Sequence, residues 1–206
     1  MEFYSKTISE GWELSIEYLL QNGSQIDSQR GMRTLEITNA VFHISNPLLE
    51  PMVSAKYNYS TDFVSKFVKD LEDDYVGVSI GERIYGYGED RINQVERIIE
   101  ELKRDYFSRR AIISLWSPRE DSISSHPPCP VLLQFYIRDG ALNMTSVLRS
   151  SDAWMAAIPD MIALTALLQK ASERLAVNIG SYTQMSVSYH LYEKDLIVAR
   201  ELFNQS

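Results

Sequence analysis

"PPCPVLLQFYIRDGALNMTSVLRSSD", residues 127–152, contains the only cysteine of the chain and the clearest signal of its fold. Two apolar runs flank Asp139-Gly140, a dipeptide typical of the tight turn of a β-hairpin. We therefore predict two antiparallel strands within residues 131–148. Prolines fix φ and push the residue before them towards extended backbone, so Cys129 is expected in a stiff, extended loop ahead of the hairpin.

Cys129 admits two interpretations. A lone cysteine beside an apolar strand is most often a small core residue. A nucleophile is favoured by the stiff loop and by Arg149, which lies across the hairpin and near enough, on a two-strand model, to favour the thiolate. Ser150 and Asp152 follow at the hairpin exit, where a cation next to a hydroxyl could hold a phosphate.

The composition is that of one globular domain spanning residues 1–206, with 45% hydrophobic and 23% charged residues. No repeat, low-complexity tract or linker divides the chain. A single cysteine excludes an internal disulfide framework and a cysteine-based zinc cluster, and it fits a reducing compartment. The three histidines are widely separated and form no metal-ligand motif.

The net charge of −8 disfavours nonspecific nucleic-acid binding, which needs a basic face, but it allows a small phosphorylated ligand in a locally basic pocket. Neither a G-x-x-x-x-G-K-[ST] loop nor a G-x-G-x-x-G fingerprint occurs, which argues against an ATPase or a Rossmann enzyme. The apolar runs are too short to cross a bilayer, and the N-terminus lacks the features of a signal peptide. We expect a cytoplasmic protein.

The remaining patterns predict an α+β fold. The clearest helix lies within residues 91–105, where Ile92, Val95, Ile99 and Leu102 form one apolar stripe. The segment that begins at Pro159 is apolar nearly all round, which is typical of a central helix. Helices are predicted within residues 8–23, 59–74, 91–105, 159–176 and 193–203, and strands within 33–47, 109–116, 131–148 and 177–192.

Two further pairs of residues could contact a nucleotide. Arg109 and Arg110 precede a short apolar strand, and paired arginines are either a solvated charge pair or a bidentate phosphate-binding group. His190 and Tyr192 lie two apart in a strand, so their side chains share one face of the sheet. They either form cross-strand pairs with residues of a neighbouring strand, or they recognise ribose hydroxyls.

Taken together, "SRRAIISLW", "PPCPVLLQFYIRDGAL", "RSSD", a proline-led apolar helix and "HLY" occur in an order and spacing that resemble the thymidylate synthase superfamily. That superfamily includes the pyrimidine-nucleotide hydroxymethylases. The resemblance extends from about Tyr85 to Tyr192, and the short chain with its "QRGMRTLEI" stretch is similar to the compact archaeal members. It implies a mostly antiparallel or mixed sheet packed around a largely buried central helix.

The resemblance also implies a reaction. Cys129 would be the nucleophile, whose thiolate adds to C6 of the pyrimidine and makes C5 a carbon nucleophile. C5 would then attack the methylene of 5,10-methylenetetrahydrofolate, the one-carbon donor. Tyr87 of "YGYG" corresponds to an active-site tyrosine, and Asp152 to an aspartate that contacts folate. The proton-relay glutamate of the family has no assigned position in this chain.

The substrate-binding residues implied by the resemblance include phosphate and ribose ligands. They are Arg30, Arg109, Arg110, Arg149, Ser150, His190 and Tyr192. In the family, Arg149 and Ser150 correspond to residues that bind phosphate, and His190 and Tyr192 to residues that bind ribose. The paired arginines reach the phosphate in the neighbouring subunit, so a homodimer is implied.

One departure from the synthases concerns recognition of the base. An asparagine at the start of the central helix reads uracil in the synthases, and matching "IPDMIAL" to the compact members puts Asp160 at that position. A rival gapless match to the long bacterial enzymes puts Met161 there and leaves the ring without a polar reader. Cytosine presents an amine donor at N4 and an acceptor at N3, so an acid that holds a proton suits it. The cytidylate hydroxymethylases of the superfamily carry an aspartate at this position.

A second departure concerns the product. No tryptophan occurs between Trp12 and Trp116, whereas the synthases have tryptophans just upstream of the "YG" motif that shield the exocyclic methylene from water. Without that shield, water addition would give a hydroxymethyl product. The resemblance thus favours a CMP or dCMP 5-hydroxymethylase. A thymidylate synthase acting on dUMP and an inactive nucleotide-binding member of the family are the alternatives, and the choice between ribose and deoxyribose stays open.

Overall fold

The computed structural model describes residues 1–72 and 80–204, which form seven strands and seven helices. The strands are β1 Glu2–Ser5, β2 Ser24–Asp27, β3 Arg33–Ile44, β4 Ile112–Ser114, β5 Pro130–Arg138, β6 Ala141–Asp152 and β7 Asn178–Tyr192. The helices are α1 Ile8–Asn22, α2 Thr61–Glu72, α3 Ile80–Tyr85, α4 Gln94–Arg104, α5 Pro118–Asp121, α6 Ala157–Leu175 and α7 Glu193–Leu202. All of these strands belong to one mixed sheet of order β1-β3-β7-β6-β5-β4, with β2 also beside β3.

The predicted hairpin is confirmed. β5 and β6 pair antiparallel, and Arg138 pairs with Ala141, so the turn consists of two residues. Both turn residues, Asp139 and Gly140, have positive φ (51° and 76°), which is the backbone of a type I′ turn and matches the right-handed twist of the strands. The hairpin brings the end of β6 next to the loop that precedes β5.

The predicted central helix is also confirmed. In α6 the five consecutive residues 157–161 are all buried, and since they span more than one turn, every side of the helix is covered at this end. The helix connects β6 to β7, which lie parallel, and it packs on both of them. α1, α2 and α4 contact α6 as well. The α+β class with a mostly antiparallel, mixed sheet is therefore as expected.

Every second residue of β7 is buried, but the buried positions shift from even to odd residue numbers between Ser186 and Tyr189. Tyr182, Gln184 and Ser186 are fully buried, and after the change Tyr189 and Leu191 are. Asn39 lies on β3 next to this part of β7, and it has a positive φ of 55°. The residues that alternate with the buried ones lie on the opposite side of the sheet. That side is half-exposed along the first part of β7 and borders a cavity along the second part.

Several details differ from the sequence predictions. Ile92 lies before α4, in a bridge with Tyr87, and it is 40% exposed because the helix begins only at Gln94. The short apolar strand predicted within residues 109–116, for which burial was expected, is the edge strand β4, in which only Ile113 is buried. The short elements β1, β2, α3 and α5 were not predicted. None of the helices within residues 1–72 and 80–204 has both the length and the apolar character needed to span a membrane.

Candidate active site

A cavity of about 520 Å³ lies where β6, β7, the loop before β5 and the first turn of α6 meet. Eight of the residues singled out in the sequence line it, which is why it is the candidate active site. They are Arg30, Cys129, Arg149, Ser150, Asp152, Asp160, His190 and Tyr192. The hairpin and the parallel β6–β7 pairing bring these residues together from distant parts of the chain.

Cys129 is held directly against Arg149. The Cys129 carbonyl accepts a hydrogen bond from the Arg149 backbone N–H at 2.8 Å, and its Sγ lies 3.9 Å from Arg149 Nη2 and 3.7 Å from Ser150 Oγ. The Arg149 guanidinium also donates to the carbonyls of Pro127 and Pro128, at 2.7 and 2.9 Å. The proline loop thus fixes both the thiol and the cation next to it.

The pKa of Cys129 is nevertheless raised above its ordinary value. Burial is the largest cause, and the negative charge of Asp160 adds to it. Arg149, the hydrogen bond with Ser150 and the charge of Arg30 act in the opposite direction, but they do not compensate. The expectation that Arg149 favours the thiolate holds for its own contribution, whereas the thiol is the stable form when the site contains no ligand.

Asp160 has a buried carboxyl group that borders the cavity. It lies in the first turn of α6, its residue is 6% exposed, and burial together with the charge of Asp152 raises its pKa to about 7. Asp152 Oδ1 accepts hydrogen bonds from the N–H groups of Trp154 and Met155, both at 3.0 Å, which fixes the turn that leads into α6. Asp160 can therefore hold a proton close to neutral pH.

His190 and Tyr192 line the cavity from the end of β7, with their rings perpendicular at 5.1 Å. His190 Nδ1 lies 3.4 Å from Ser188 Oγ. Burial lowers the pKa of His190, although the charges of Asp152 and Glu36 oppose this effect, so the imidazole is neutral at pH 7.

Glu36 is a cavity residue that the sequence analysis missed. It lies on β3 opposite His190 on β7, and its Oε1 accepts a hydrogen bond from the Ser188 hydroxyl. In the sequence it stands between Leu35 and Ile37, where an alternating strand predicts only a residue on the polar face. The register of β3 on β7, which brings it to the cavity, has no local sequence signal.

Arg30 enters the cavity from the connection between β2 and β3. The turn is closed by a hydrogen bond from Ser28 N–H to the Met32 carbonyl at 2.8 Å, and Gly31 within it has a φ of +70°, which disfavours residues with a side chain. The charge of Arg30 lowers the pKa of Cys129 and of His190. Arg30, Arg149 and Ser150 together give the cavity the cations and hydroxyl that a phosphate needs.

Three predicted residues lie outside this cavity. Tyr87 lines a separate surface pocket with Arg83 and Ser117, while Tyr85, two residues earlier, lines an apolar cleft next to Asp160. Arg109 and Arg110 are exposed in the turn before β4. The guanidinium of Arg110 pairs with Glu101 at 3.0 Å, and Arg109 accepts a hydrogen bond at its carbonyl from Gln134. Neither arginine lines the cavity of its own chain.

The apolar cleft adjoins the cavity. Both are bordered by Ile80, Pro130 and Asp160, and the cleft continues along α6 with Ala163, Leu164 and Leu167. The walls of the cleft are apolar and Asp160 stands at its rim, but its free volume is only about 20 Å³, which is room for a single water molecule. Across the described parts of the chain, His, Cys, Asp and Glu side chains do not gather into a group that could hold a metal ion.

Comparison with known proteins identifies the family. The thymidylate synthase family model matches residues 65–206. Proteins named "Putative thymidylate synthase" are similar over nearly the whole chain: that of Methanothermobacter marburgensis is 32% identical, covering 95% of this chain and 94% of its own, and that of Methanocaldococcus jannaschii is 30% identical, covering 96% and 93%. The chain belongs to the thymidylate synthase family.

Proposed function

We propose that this protein transfers a one-carbon unit to C5 of a pyrimidine nucleoside monophosphate, and that its substrate is CMP or dCMP and its product the 5-hydroxymethyl derivative. The observation that carries this proposal is the presence of Cys129 and Asp160 in one cavity, close enough for the charge of Asp160 to raise the pKa of the thiol. A nucleophile and a protonatable group would then act on opposite parts of one base.

The orientation of the nucleotide follows from the charges. Arg30, Arg149 and Ser150 would bind the phosphate, while His190 and Tyr192 would contact the sugar. The base would then extend towards Asp160. In its protonated form Asp160 offers one donor and one acceptor, which complement N3 and the N4 amine of cytosine.

Binding of the base would also activate Cys129. A proton held between Asp160 and N3 removes the negative charge that raises the pKa of the thiol, so Arg149 and Arg30 would act on Cys129 unopposed by Asp160. The thiolate then forms the S–C6 bond, and the C5–C6 electron pair moves to C5. Attack by C5 on the methylene carbon would break its bond to one folate nitrogen. Loss of the C5 proton would then expel the second folate nitrogen and leave an exocyclic methylene on C5. Water would add to this methylene and lose a proton, while the methylene electron pair forms the C5–C6 double bond and the S–C6 bond breaks, which frees Cys129 as the thiolate.

The one-carbon donor would be 5,10-methylenetetrahydrofolate, which supplies a methylene carbon. The cleft bordered by Tyr85, Leu164 and Leu167 is too small for a pterin, so the pterin ring would share the larger cavity of about 520 Å³ with the nucleotide. Asp152 borders the nucleotide cavity with Oδ1 bound to backbone N–H groups, and it is the candidate contact to the donor.

The choice between a methyl and a hydroxymethyl product depends on whether hydride or water reaches the exocyclic methylene. Among residues 1–72 and 80–204, no tryptophan lines the cavity: Trp12 and Trp154 are buried in the core, and Trp116 lies after β4. Phe67 of α2 contributes an aromatic ring there. The lack of an indole shield supports the hydroxymethyl product. The names of the archaeal relatives support a second candidate, methylation of dUMP.

A homodimer is part of the proposal. The side of the sheet that faces away from α6 carries half-exposed residues on three adjacent strands. They are Leu132, Gln134, Tyr136, Thr145, Val147, Thr183, Met185 and Val187. The Arg109 carbonyl accepts a hydrogen bond from Gln134 at the border of this surface. If two copies pair through this surface, Arg109 and Arg110 of one subunit would lie close to the cavity of the other subunit.

Mixing Cys129→Ala protein with an Arg109→Ala/Arg110→Ala variant should then restore about a quarter of wild-type activity, because half of the dimers are mixed and each has one complete site.

A product assay by mass spectrometry tests the reaction. The purified protein is incubated with methylenetetrahydrofolate and with CMP, dCMP, UMP and dUMP in competition. We expect a hydroxymethyl group on a cytidylate, no product with Cys129→Ala, and a shift towards uridylates with Asp160→Asn. Asp139→Asn, the same change in the exposed hairpin turn, is the matched control and should behave as wild type.

Two other results would each overturn part of this proposal. A methyl group on dUMP would identify a thymidylate synthase and reject Asp160 as a reader of cytosine. Nucleotide binding without any product, in the presence of the folate donor, would indicate an inactive family member that has kept the nucleotide site.

A further inference from the structure

Glu36 places a carboxylate at the sugar end of the cavity. It lies on β3 directly opposite His190, and Ser188, two residues before His190 on β7, donates a hydrogen bond to Glu36 Oε1. No other described residue donates to the Glu36 carboxylate, so Oε2 keeps its capacity to accept a hydrogen bond. Since Glu36 borders the cavity, this capacity is available to a ligand.

The same contacts fix the tautomer of His190. The Ser188 proton is used towards Glu36, so the Ser188 oxygen acts as an acceptor for His190 Nδ1, 3.4 Å away. The neutral imidazole then carries its proton on Nδ1, and Nε2 is left as an acceptor. Tyr192, perpendicular to the imidazole at 5.1 Å, adds a hydroxyl that can both donate and accept.

These groups exceed what a single sugar hydroxyl requires. A lone 3′-hydroxyl has one proton to donate, which His190 Nε2 accepts, and Tyr192 can donate to its oxygen. The second oxygen of Glu36 then lacks a donor. A ribonucleotide supplies that donor in its 2′-hydroxyl, whereas a deoxyribonucleotide does not.

We propose that Glu36 is a specificity-determining residue that accepts a hydrogen bond from the 2′-hydroxyl, so that the protein prefers CMP to dCMP. This inference rests on the proposed function, because it assumes a pyrimidine nucleoside monophosphate in the cavity. It requires only that the nucleotide binds, not that the one-carbon transfer occurs. A hydrogen bond to a charged acceptor corresponds to a preference of roughly tenfold to hundredfold.

Calorimetric titration of the protein with CMP, dCMP and 3′-deoxy-CMP tests the inference without any folate. For the wild type we expect CMP to bind at least about tenfold more tightly than dCMP. Glu36→Ala should weaken CMP and 3′-deoxy-CMP by the same factor and leave dCMP unchanged. Glu36→Gln, which keeps the shape and loses the charge, should retain part of the preference. Glu100→Gln, an exposed carboxylate on α4, is the control and should match wild type.

Three results would overturn the inference. One is equal binding of CMP and dCMP by the wild type. Another is an equal loss of all three ligands in both Glu36→Ala and Ser188→Ala, which would mean that Glu36 acts by positioning His190. The third is a loss confined to CMP and dCMP, which would mean that Glu36 reads the 3′-hydroxyl. Failure of the proposed reaction is recognised separately, as a missing product in the folate assay while the titration still gives a CMP preference.

Discussion

Asp160 and Cys129 are electrostatically opposed within one cavity. Asp160 has a pKa of about 7 because it is buried and lies close to the negative charge of Asp152. Its negative charge in turn raises the pKa of Cys129. The charge state of the carboxyl group that we assign to base recognition therefore determines how readily the nucleophile ionises.

Replacing Asp160 by asparagine should make Cys129 more reactive when the site contains no ligand. Removing a neighbouring negative charge lowers the pKa of a thiol, so the alkylation of Cys129 by iodoacetamide should reach half of its maximal rate at a lower pH than in the wild type. The chain has one cysteine, so the measured rate belongs to Cys129 alone. Asp139→Asn is the control, and identical profiles for Asp160→Asn and wild type would contradict the coupling.

Asp160 should also make the stability of the protein depend on pH. Its pKa is raised on folding, so the folded state binds more protons than the unfolded state between about pH 4 and pH 7, and stability falls as the pH rises through this interval. Taking the pKa of about 7 against 3.8, the penalty is roughly 4 kcal/mol at pH 8 and roughly 2 kcal/mol at pH 5.

The stability advantage of Asp160→Asn over wild type should therefore increase by about 2 to 3 kcal/mol between pH 5 and pH 8. Urea denaturation at several pH values and one protein concentration measures it, and subtracting the two curves removes the groups that titrate in both proteins. A difference that stays constant with pH would mean that the pKa of Asp160 is not raised on folding.

Single residues could be predicted where the chemistry is local. The prolines around Cys129 and the hairpin that contains Arg149 were sufficient to predict that the thiol and the cation lie together. Glu36 could not be predicted, because its position depends on the pairing of strands about 150 residues apart in the chain. Tyr85, and not Tyr87, borders the cleft beside Asp160, and within a repeated "YGYG" motif the sequence does not distinguish the two.

At the scale of elements, a buried ion pair connects α3 to the segment that leads to Cys129. Arg83 on α3 donates to both oxygens of Asp121 at the end of α5, at 2.6 and 2.8 Å, and also to the Leu115 carbonyl. The two side chains are 3% and 1% exposed. The backbone N–H of Ser117 donates to the same carboxylate, so Asp121 closes the turn that α5 forms.

Breaking this pair should destabilise the protein much more than removing it altogether. Arg83→Met leaves the buried Asp121 carboxylate without its cationic partner and should cost about 3–5 kcal/mol of unfolding free energy. The double variant Arg83→Met/Asp121→Leu should recover a large part of that loss. Arg91→Met is the matched control, because Arg91 pairs with Glu82 on the surface, and it should cost less than about 1 kcal/mol.

Denaturation of the wild type, Arg83→Met, Asp121→Leu and the double variant completes a double-mutant cycle. A loss in the double variant that equals the sum of the losses in the two single variants would show that Arg83 and Asp121 do not act as a unit. Because the segment after α5 carries Cys129, we also expect Arg83→Met to lower turnover in the product assay, whereas Arg91→Met should leave it unchanged.

The elements that were predicted have a strong local pattern. The hairpin has its turn dipeptide, α4 has a regular apolar stripe, and α6 has an uninterrupted apolar run. β1 and β2 have four residues each, and β2 is exposed throughout, so neither contains an apolar alternation that could be recognised. They are strands because β3 is long enough to pair with both along one edge.

The whole molecule has an asymmetric distribution of apolar surface. α6 and the helices that contact it cover one side of the sheet, while the other side of β5, β6 and β7 keeps half-exposed apolar residues at its centre. Val187, on the central strand β7, is 43% exposed. Contiguous apolar residues at the centre of a sheet are unusual on a solvated surface, which supports a second copy of the chain as their cover.

A charge introduced on this surface should therefore separate the subunits. Light scattering during gel filtration should give twice the chain mass of 23.6 kDa for the wild type and the chain mass itself for Val187→Glu, because a dimer would bury two unpaired carboxylates at a cost of several kcal/mol. Leu14→Glu is the matched control, since Leu14 is 41% exposed but lies on α1, on the helical side.

Val187→Glu should also lose activity, because Arg109 and Arg110 would no longer reach a neighbouring cavity, while Leu14→Glu stays active. A wild-type protein that elutes with a single chain mass, or a monomeric Val187→Glu protein with full activity, would reject the dimeric site.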